Sequence, residues 1–255
     1  MTTICLLILA YYILGKDTSA LRQRLRNVDW HSKISDLVDK VRPWALKAGR
    51  VAAEGMVATN ISADGKTAAI VEVNSETDFV AKNEKFNAFI DRLCKTIINS
   101  DAKTVVEALE LKSDEGTVND DIINVTATMG EKISLRRFVK LTKSDNEVFG
   151  KYIHMGGKIS TLVLLEGNNE EVANDVAMHL AAMNPKYVSR EAVPASDIEE
   201  ESKVLKEQAI NEGKPEDIAE KMVQGRINKY YKDIVITEQE FVKNPDVTVG
   251  TYLKN

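Results

Sequence analysis

A strand–turn–strand–helix pattern constrains the fold of this sequence more than any other feature. Residues 56–61 and 67–73 have the apolar, β-branched content of strands, and an Asp64-Gly65 turn separates them. A helix then follows, because apolar residues recur every three or four positions: Phe86, Phe89, Ile90, Leu93, Ile97 and Ile98. The pattern predicts an antiparallel hairpin covered by an amphipathic helix.

The same plan occurs a second time, further along the chain. Residues 148–154 and 158–165 are predicted strands, joined by a Met155-Gly156-Gly157 turn, and an apolar helix containing His179 follows them. A lysine opens the second strand in each copy, at Lys66 and at Lys158. A short helix over 105–111 and a strand over 133–141 lie between the copies. The fold class predicted is α+β, with two related hairpin-plus-helix subdomains.

Residues 191–231 have a different character and predict a helical hairpin. Ser196 is a candidate N-cap for a charged helix over 197–210. The Glu212-Gly213-Lys214-Pro215 turn would end that helix and start another, which carries Ile218 and Tyr230. We expect the two helices to form a projecting antiparallel coiled coil. Residues 235–242 and 247–253 are predicted to be extended or mixed.

These elements divide the chain into four parts. Residues 1–52 form an N-terminal helical segment, and residues 53–144 form the N subdomain of the core. Residues 145–190 and 232–255 form the C subdomain, with the hairpin over 191–231 inserted between them. The apolar run over 4–14 is shorter than the ~20 residues that a membrane-spanning helix needs. No Lys or Arg precedes this run, so it also lacks the basic start of a signal peptide.

Composition and motifs argue against several functional classes. The net charge is -5 and no dense block of Lys and Arg is present, which disfavours direct nucleic-acid binding. The sequence contains no phosphate-binding loop, GxGxxG, HExxH or GxSxG pattern. Its three histidines have no i, i+4 partner, and Cys5 and Cys94 lie far apart. The predictions are therefore no enzymatic activity, no cofactor or metal, no membrane, and a reducing, cytoplasmic location.

The segment that joins the first hairpin to its helix is a candidate functional loop. Its centre reads Thr77-Asp78-Phe79-Val80. A purely structural interpretation is available, in which Ser75 and Asp78 form a capping box and Phe79 packs against Phe86. From spacing alone this interpretation is favoured, because such short patterns occur often by chance.

Several segments, taken together, resemble the elongation factor Ts family. The most specific is Glu72-Val-Asn-Ser-Glu-Thr-Asp-Phe-Val-Ala-Lys-Asn83, which is similar to that family's signature. Other segments follow the family's order: Lys47-Ala-Gly-Arg-Val-Ala-Ala-Glu-Gly55, His154-Met-Gly-Gly-Lys-Ile159, Ala177-Met-His179, Asn211-Glu-Gly-Lys-Pro-Glu216, Glu220-Lys-Met-Val-Gln-Gly-Arg226 and Asn244-Pro-Asp-Val-Thr-Val-Gly250. The resemblance covers residues 47–255.

The resemblance implies a guanine-nucleotide exchange factor that acts in translation elongation. Such a protein binds GDP-bound elongation factor Tu and promotes GDP release by disturbing the coordination of Mg²⁺. It implies that Thr77, Asp78, Phe79 and Val80 form the tip that does so, with Phe79 as a wedge and Asp78 near the ion. A second partner contact would involve the following residues: His154, Met155, Gly156 and His179.

Both ends of the sequence depart from the family pattern. The family begins with a helical module containing Thr-Gly-Ala-Gly-Met, which residues 1–46 lack. Family members also continue past residues 248–250 with a further strand, so we expect the C-terminal half to be destabilised by an unpaired strand edge. One alternative is a truncated or frame-shifted relative that keeps the fold but has little exchange activity. Another is an enzyme or membrane-tethered protein anchored by its first 15 residues.

Overall fold

A three-stranded antiparallel sheet forms the centre of the first part of the fold. The computed structural model describes residues 50–114 and 116–254. Strands β1 (Glu54–Ile61) and β2 (Thr67–Ser75) form the predicted hairpin. The third strand, β5 (Ser134–Thr142), pairs with β2, which gives the order β1-β2-β5. The three predicted strands are confirmed. The predictions for the run over 4–14 and for helices before residue 50 lie outside the described residues.

Helix α1 (Glu84–Ile98) covers one face of this sheet, as its periodicity predicts. Its apolar side chains pack with Val71 and Val73 of β2: Phe86, Phe89, Ile90, Leu93 and Ile97. The backbone N–H of Lys85 donates to the Asn83 side chain, which caps the helix. Burial of this apolar face holds the helix on the sheet.

The connection from α1 to β5 contains a helix that periodicity did not predict. Short helix α2 (Val105–Leu109) agrees with the prediction, and two-residue strands β3 (Lys112–Ser113) and β4 (Gly116–Thr117) follow. Helix α3 (Val118–Met129) was missed, because its many β-branched residues are weak helix formers. A capping box between Thr117 and Asp120 starts it, and Gly130 ends it in the left-handed conformation.

The second hairpin also carries a helix. Strands β6 (Glu147–His154) and β7 (Ile159–Glu166) pair antiparallel, and helix α4 (Glu170–Met183) packs on them. A Cβ atom on Gly150 of β6 would lie 2.1 Å from the backbone carbonyl of Ala173 in α4, so only glycine permits this close approach. The two hairpins meet where Thr59 Oγ1 and Ser160 Oγ share a hydrogen bond of 2.6 Å.

Two long helices form the part that the sequence predicted as a hairpin. Helices α5 (Ala195–Asn211) and α6 (Glu216–Ile234) are joined by a turn in which Gly213 has φ +79°. The prediction that Ser196 caps α5 is wrong, because the helix begins at Ala195 after Pro194 and has no side-chain cap. Proline at this position already holds a φ compatible with starting a helix. Lys206 and Arg226 form ion pairs between the helices, with Glu216 and Glu212 respectively.

The chain then returns to the second hairpin. Strands β8 (Glu240–Phe241) and β9 (Asn244–Thr248) and helix α7 (Val249–Tyr252) are short, in agreement with the mixed structure predicted. Ile236, Phe241 and Val249 pack with α4 in a second hydrophobic core. The described residues therefore form an α+β fold, as predicted. None of the helices within 50–114 and 116–254 is long and apolar enough to cross a membrane.

Candidate functional site

The loop between β2 and α1 places one large apolar side chain in solvent. Phe79 is 75% exposed, whereas Val80 next to it is 6% exposed and packs in the first hydrophobic core. Residues Val80–Lys82 form a single 3₁₀ turn that leads into the cap of α1. The loop therefore holds Phe79 outward by fixing the residue that follows it.

The structural interpretation of this loop is not supported. Ser75 and Asp78 do not form a capping box, because the Ser75 hydroxyl donates to the backbone oxygen of Thr77 at 2.9 Å. Helix α1 starts at Glu84, five residues after Phe79, with Asn83 as its cap. Phe86 is fully buried, whereas the Phe79 ring is 75% exposed, so Phe79 is not packed away with it in the core. The Phe79 ring is therefore an exposed apolar side chain on an anchored loop.

Two carboxylates attach the loop to the segment between α3 and β5. Thr77 donates two hydrogen bonds to Glu131, from its backbone N–H at 2.9 Å and from its hydroxyl at 2.6 Å. In the opposite direction, the backbone N–H of Lys132 donates to Glu76 at 2.7 Å. Arg50 also pairs with Glu76, at 3.3 Å. No pattern in the sequence pointed to Glu131, since 54 residues separate it from Thr77.

His154, Met155 and Gly156 lie together at the turn between β6 and β7. Met155 is 68% exposed and has φ +47°, a left-handed conformation that is uncommon for a residue with a side chain. His154 is exposed, and its ring stacks on that of Tyr152. Gly157 packs closely on β1, since its φ is +99° and a Cβ atom there would lie 3.1 Å from the backbone oxygen of Val57. The turn thus presents an exposed apolar side chain on a constrained backbone.

His179 lies in the second hydrophobic core rather than at the surface. The Val242 N–H donates to His179 Nδ1 at 3.3 Å, so the imidazole proton is on Nε2 and is donated to Gln239 Oε1 at 2.9 Å. Burial lowers the pKa of His179, and the bond to Gln239 opposes this effect. Only the neutral ring can accept the Val242 N–H, because Nδ1 carries a proton in the imidazolium, and the side chain is fully buried. The structure therefore separates His179 from the exposed residues His154, Met155 and Gly156.

The other reactive side chains do not form a chemical site among the described residues. Within 50–114 and 116–254 no three His, Cys, Asp or Glu residues are placed to hold a metal ion. Burial raises the pKa of the Cys94 thiol to about 11, which keeps it protonated at neutral pH. The arrangement around Phe79 is suited to inserting an aromatic ring into an apolar cleft of another protein.

Comparison with known proteins identifies the family of the chain. The family model described as elongation factor TS matches residues 76–255. Elongation factor Ts of Pediococcus pentosaceus is 54% identical to the chain over 209 residues, which are 82% of this chain and 71% of that protein. These matches define the class of the protein as a translation elongation factor. Within that class, the chain belongs to the elongation factor Ts family.

Proposed function

We propose that the chain is a guanine-nucleotide exchange factor that binds GDP-bound elongation factor Tu and promotes GDP release. The observation that carries this proposal is the exposed ring of Phe79. It is held outward between Val80, which is buried, and Thr77, which is hydrogen-bonded to Glu131. The protein acts through binding and catalyses no covalent chemistry, so we do not class it as an enzyme. Since it serves translation elongation, the proposal includes a cytoplasmic location.

Phe79 and Asp78 are the residues of the tip that reach the partner. Burying the Phe79 ring in an apolar cleft contributes ~1.5–3 kcal/mol. The backbone and carboxylate of Asp78 would then move groups that coordinate Mg²⁺ beside the nucleotide of the partner. Weakened Mg²⁺ coordination releases the diphosphate, because the ion is the largest charge that holds it. By linkage, bound GDP and Mg²⁺ must weaken binding of the exchange factor by the same factor.

Thr77 and Val80 have a different role within the same tip. Thr77 is held by Glu131, and Val80 is anchored in the core. Neither side chain is free to enter a cleft of the partner without breaking these contacts. We therefore assign Thr77 and Val80 to holding the tip, and Asp78 and Phe79 to contacting the partner.

A second contact is proposed at the turn between β6 and β7. Met155 supplies an exposed apolar side chain, and His154 a polar one, on a backbone fixed by Gly156 and Gly157. His179 supports this part of the fold from inside, through Gln239 and Val242, and does not touch the partner itself. Two contacts on separate hairpins would fix the orientation of the tip as it enters the partner.

The proposal also covers the arrangement of the chain. Residues 53–144 form one subdomain, and residues 145–190 with 232–255 form a second that is related to it. The helical hairpin over 191–231 is a coiled-coil extension that adds contact area. The ion pairs of Lys206 and Arg226 support this view, because they link α5 and α6 along the hairpin.

Release of a fluorescent GDP analogue from elongation factor Tu tests the proposal. The Tu–analogue complex is mixed with excess unlabelled GDP, with and without the full chain, and the rate of fluorescence loss is recorded. We expect the rate to rise with the concentration of the chain and to saturate. Raising the Mg²⁺ concentration should oppose the effect. A release rate that does not change at any concentration, while the chain is folded, supports the alternative of a relative with little exchange activity.

A further inference from the structure

We propose that Glu131 is the positioning residue of the tip and that it acts on exchange through Thr77 rather than by touching the partner. This inference rests on the proposed exchange function. Its basis is a set of contacts between two segments that are distant in sequence, residues 75–80 and residues 130–133. We call this set of contacts the carboxylate clamp.

The first half of the clamp uses both oxygens of one carboxylate. Glu131 Oε2 accepts the backbone N–H of Thr77 at 2.9 Å, and Glu131 Oε1 accepts the Thr77 hydroxyl at 2.6 Å. A single side chain therefore fixes both the backbone and the χ1 angle of the residue that precedes Asp78. Hydrogen bonds to an ionised acceptor are stronger than those between neutral groups, and two of them from one residue restrict its orientation.

The second half of the clamp runs in the opposite direction. Glu76 Oε1 accepts the backbone N–H of Lys132 at 2.7 Å, and Arg50 pairs with the same carboxylate. Each segment thus sends a glutamate to the backbone of the other, from adjacent positions in both. This reciprocal arrangement resembles a short stretch of strand pairing in which side chains replace the backbone acceptors. It resists both sliding and rotation of the loop.

The segment that carries Glu131 is itself fixed to the core. Gly130 ends α3 with φ +75° and donates its N–H to Thr126 O. Ile133 is buried, and its N–H donates to the Thr126 hydroxyl at 3.2 Å. Glu131 therefore connects the tip to a rigid support. Val80 anchors the other flank, so Asp78 and Phe79 lie between two fixed points.

A fixed tip binds better than a mobile one. Any residue that has to be ordered on binding loses conformational entropy, and this loss weakens the complex. With the clamp in place, Asp78 and Phe79 approach the partner already oriented. Without it, residues 76–79 must be ordered at the moment when the tip disturbs the ion site. Removing Glu131 should therefore raise the concentration of the chain that half-maximal GDP release requires, with a much smaller effect on the free energy of unfolding.

The chain offers a matched control for this test. Asp120 Oδ2 accepts the backbone N–H of Thr117 at 2.9 Å and the Thr117 hydroxyl at 2.8 Å. This is the same pair of donors that Thr77 offers to Glu131, but it caps α3. The experiment compares Glu131→Ala with Asp120→Ala in the release assay and in thermal unfolding. Glu131→Gln is the rescue variant, since its amide oxygen can accept the Thr77 N–H while its amide NH₂ donates to the Thr77 hydroxyl.

We expect Glu131→Ala to raise the half-maximal concentration in the GDP-release assay ~10-fold, the factor that follows from losing two hydrogen bonds. Asp120→Ala should change that concentration less than about twofold even where it costs as much stability. Glu131→Gln should recover most of the activity. In a Phe79→Ala background, Glu131→Ala should have almost no further effect, because both changes remove the same oriented tip. Hydrogen exchange at the Thr77 amide should accelerate in Glu131→Ala alone.

Three results would overturn the inference while leaving the exchange function intact. They are a wild-type half-maximal concentration for Glu131→Ala, an equal rise for Asp120→Ala, and additive effects of Glu131→Ala and Phe79→Ala. If the unmodified chain itself releases no GDP, the proposed function fails instead. In that case hydrogen exchange still tests whether Glu131 holds the loop. Faster exchange of the Thr77 amide in Glu131→Ala supports the carboxylate clamp, and unchanged exchange refutes it.

Discussion

Phe79 and Val80 are neighbours in the chain but face opposite environments. The Phe79 ring is in solvent, while Val80 packs beneath it with the core of the first sheet and α1. Adjacent residues with such different exposure indicate a loop that uses one side chain as an anchor and presents the other. This relationship separates two kinds of contribution from a single motif, stability from Val80 and binding from Phe79. Substitutions at Phe79 and Val80 separate the two contributions.

Replacing Phe79 by Ala should affect exchange but not folding. Loss of a buried aromatic contact worth ~1.5–3 kcal/mol corresponds to a half-maximal concentration at least tenfold higher in the GDP-release assay. The free energy of unfolding should change by less than about 0.5 kcal/mol, because the side chain is exposed. Val106→Ala, at another exposed apolar position, is the control and should change neither quantity. Unaltered exchange by Phe79→Ala would contradict the wedge.

Replacing Val80 by Ala should mainly affect folding. The change removes buried methyl groups and leaves a cavity, which costs about 2 kcal/mol of unfolding free energy. Urea denaturation followed by circular dichroism measures this loss. Val139→Ala provides the comparison, since Val139 lies in β5 of the same sheet but is exposed. Equal losses for the two variants would show that Val80 does not anchor the loop.

Stability should fall in mild acid because of His179. Burial holds the pKa of His179 below its ordinary value of 6.5. The unfolded chain therefore binds this proton more readily than the folded chain, so the free energy of unfolding decreases as the pH falls below 6.5. Thermal unfolding midpoints between about pH 5 and pH 8 measure the effect. His179→Gln should flatten the profile, and a profile that this variant leaves unaltered would show that His179 does not cause the acid sensitivity.

Two glycines should respond to alanine in opposite ways. Gly150→Ala places a Cβ atom 2.1 Å from the backbone of Ala173 and must push α4 away from β6. We expect a loss of at least about 3 kcal/mol, or failure of the second core to form. Gly225 lies within α6, and a Cβ atom there would meet no other part of the described chain within 4 Å. Gly225→Ala should therefore stabilise the fold by up to about 1 kcal/mol. Calorimetry on both variants checks whether the free energy of unfolding falls for Gly150→Ala and rises for Gly225→Ala.

Arg190 should control the attachment of the helical hairpin to the rest of the fold. Its guanidinium donates to the Glu238 carboxylate and lies 4.4 Å from the ring centre of Tyr231 in α6. Arg190→Lys keeps the charge but loses the forked geometry and the stacking, so we expect a loss of about 1 kcal/mol. Hydrogen exchange at the base of α6 should accelerate. Lys206→Ala, further along the hairpin, should leave the exchange rates at that base unchanged.

Local patterns accounted for most elements of the described fold. The apolar spacing in α1 and the turns at Asp64-Gly65 and Gly213 depend on neighbours in sequence, and these predictions are confirmed. Helix α3 was missed because its β-branched residues weaken the helical pattern, although the Thr117 and Asp120 capping box was a readable signal. The relation between the two hairpins, and the stability of the C-terminal half, stay predictions.

The sequence by itself determined the α+β class, the positions of the hairpins and the family, since each depends on local order along the chain. It also located the loop around Phe79, for which local spacing favoured packing on Phe86 whereas the family resemblance implied a wedge that contacts the partner. Only the tertiary structure decided that Phe79 is exposed, that His179 is internal, and that Glu131 holds Thr77. Each of these depends on contacts between segments that are far apart in sequence, and no local sequence pattern shows which segments will be in contact.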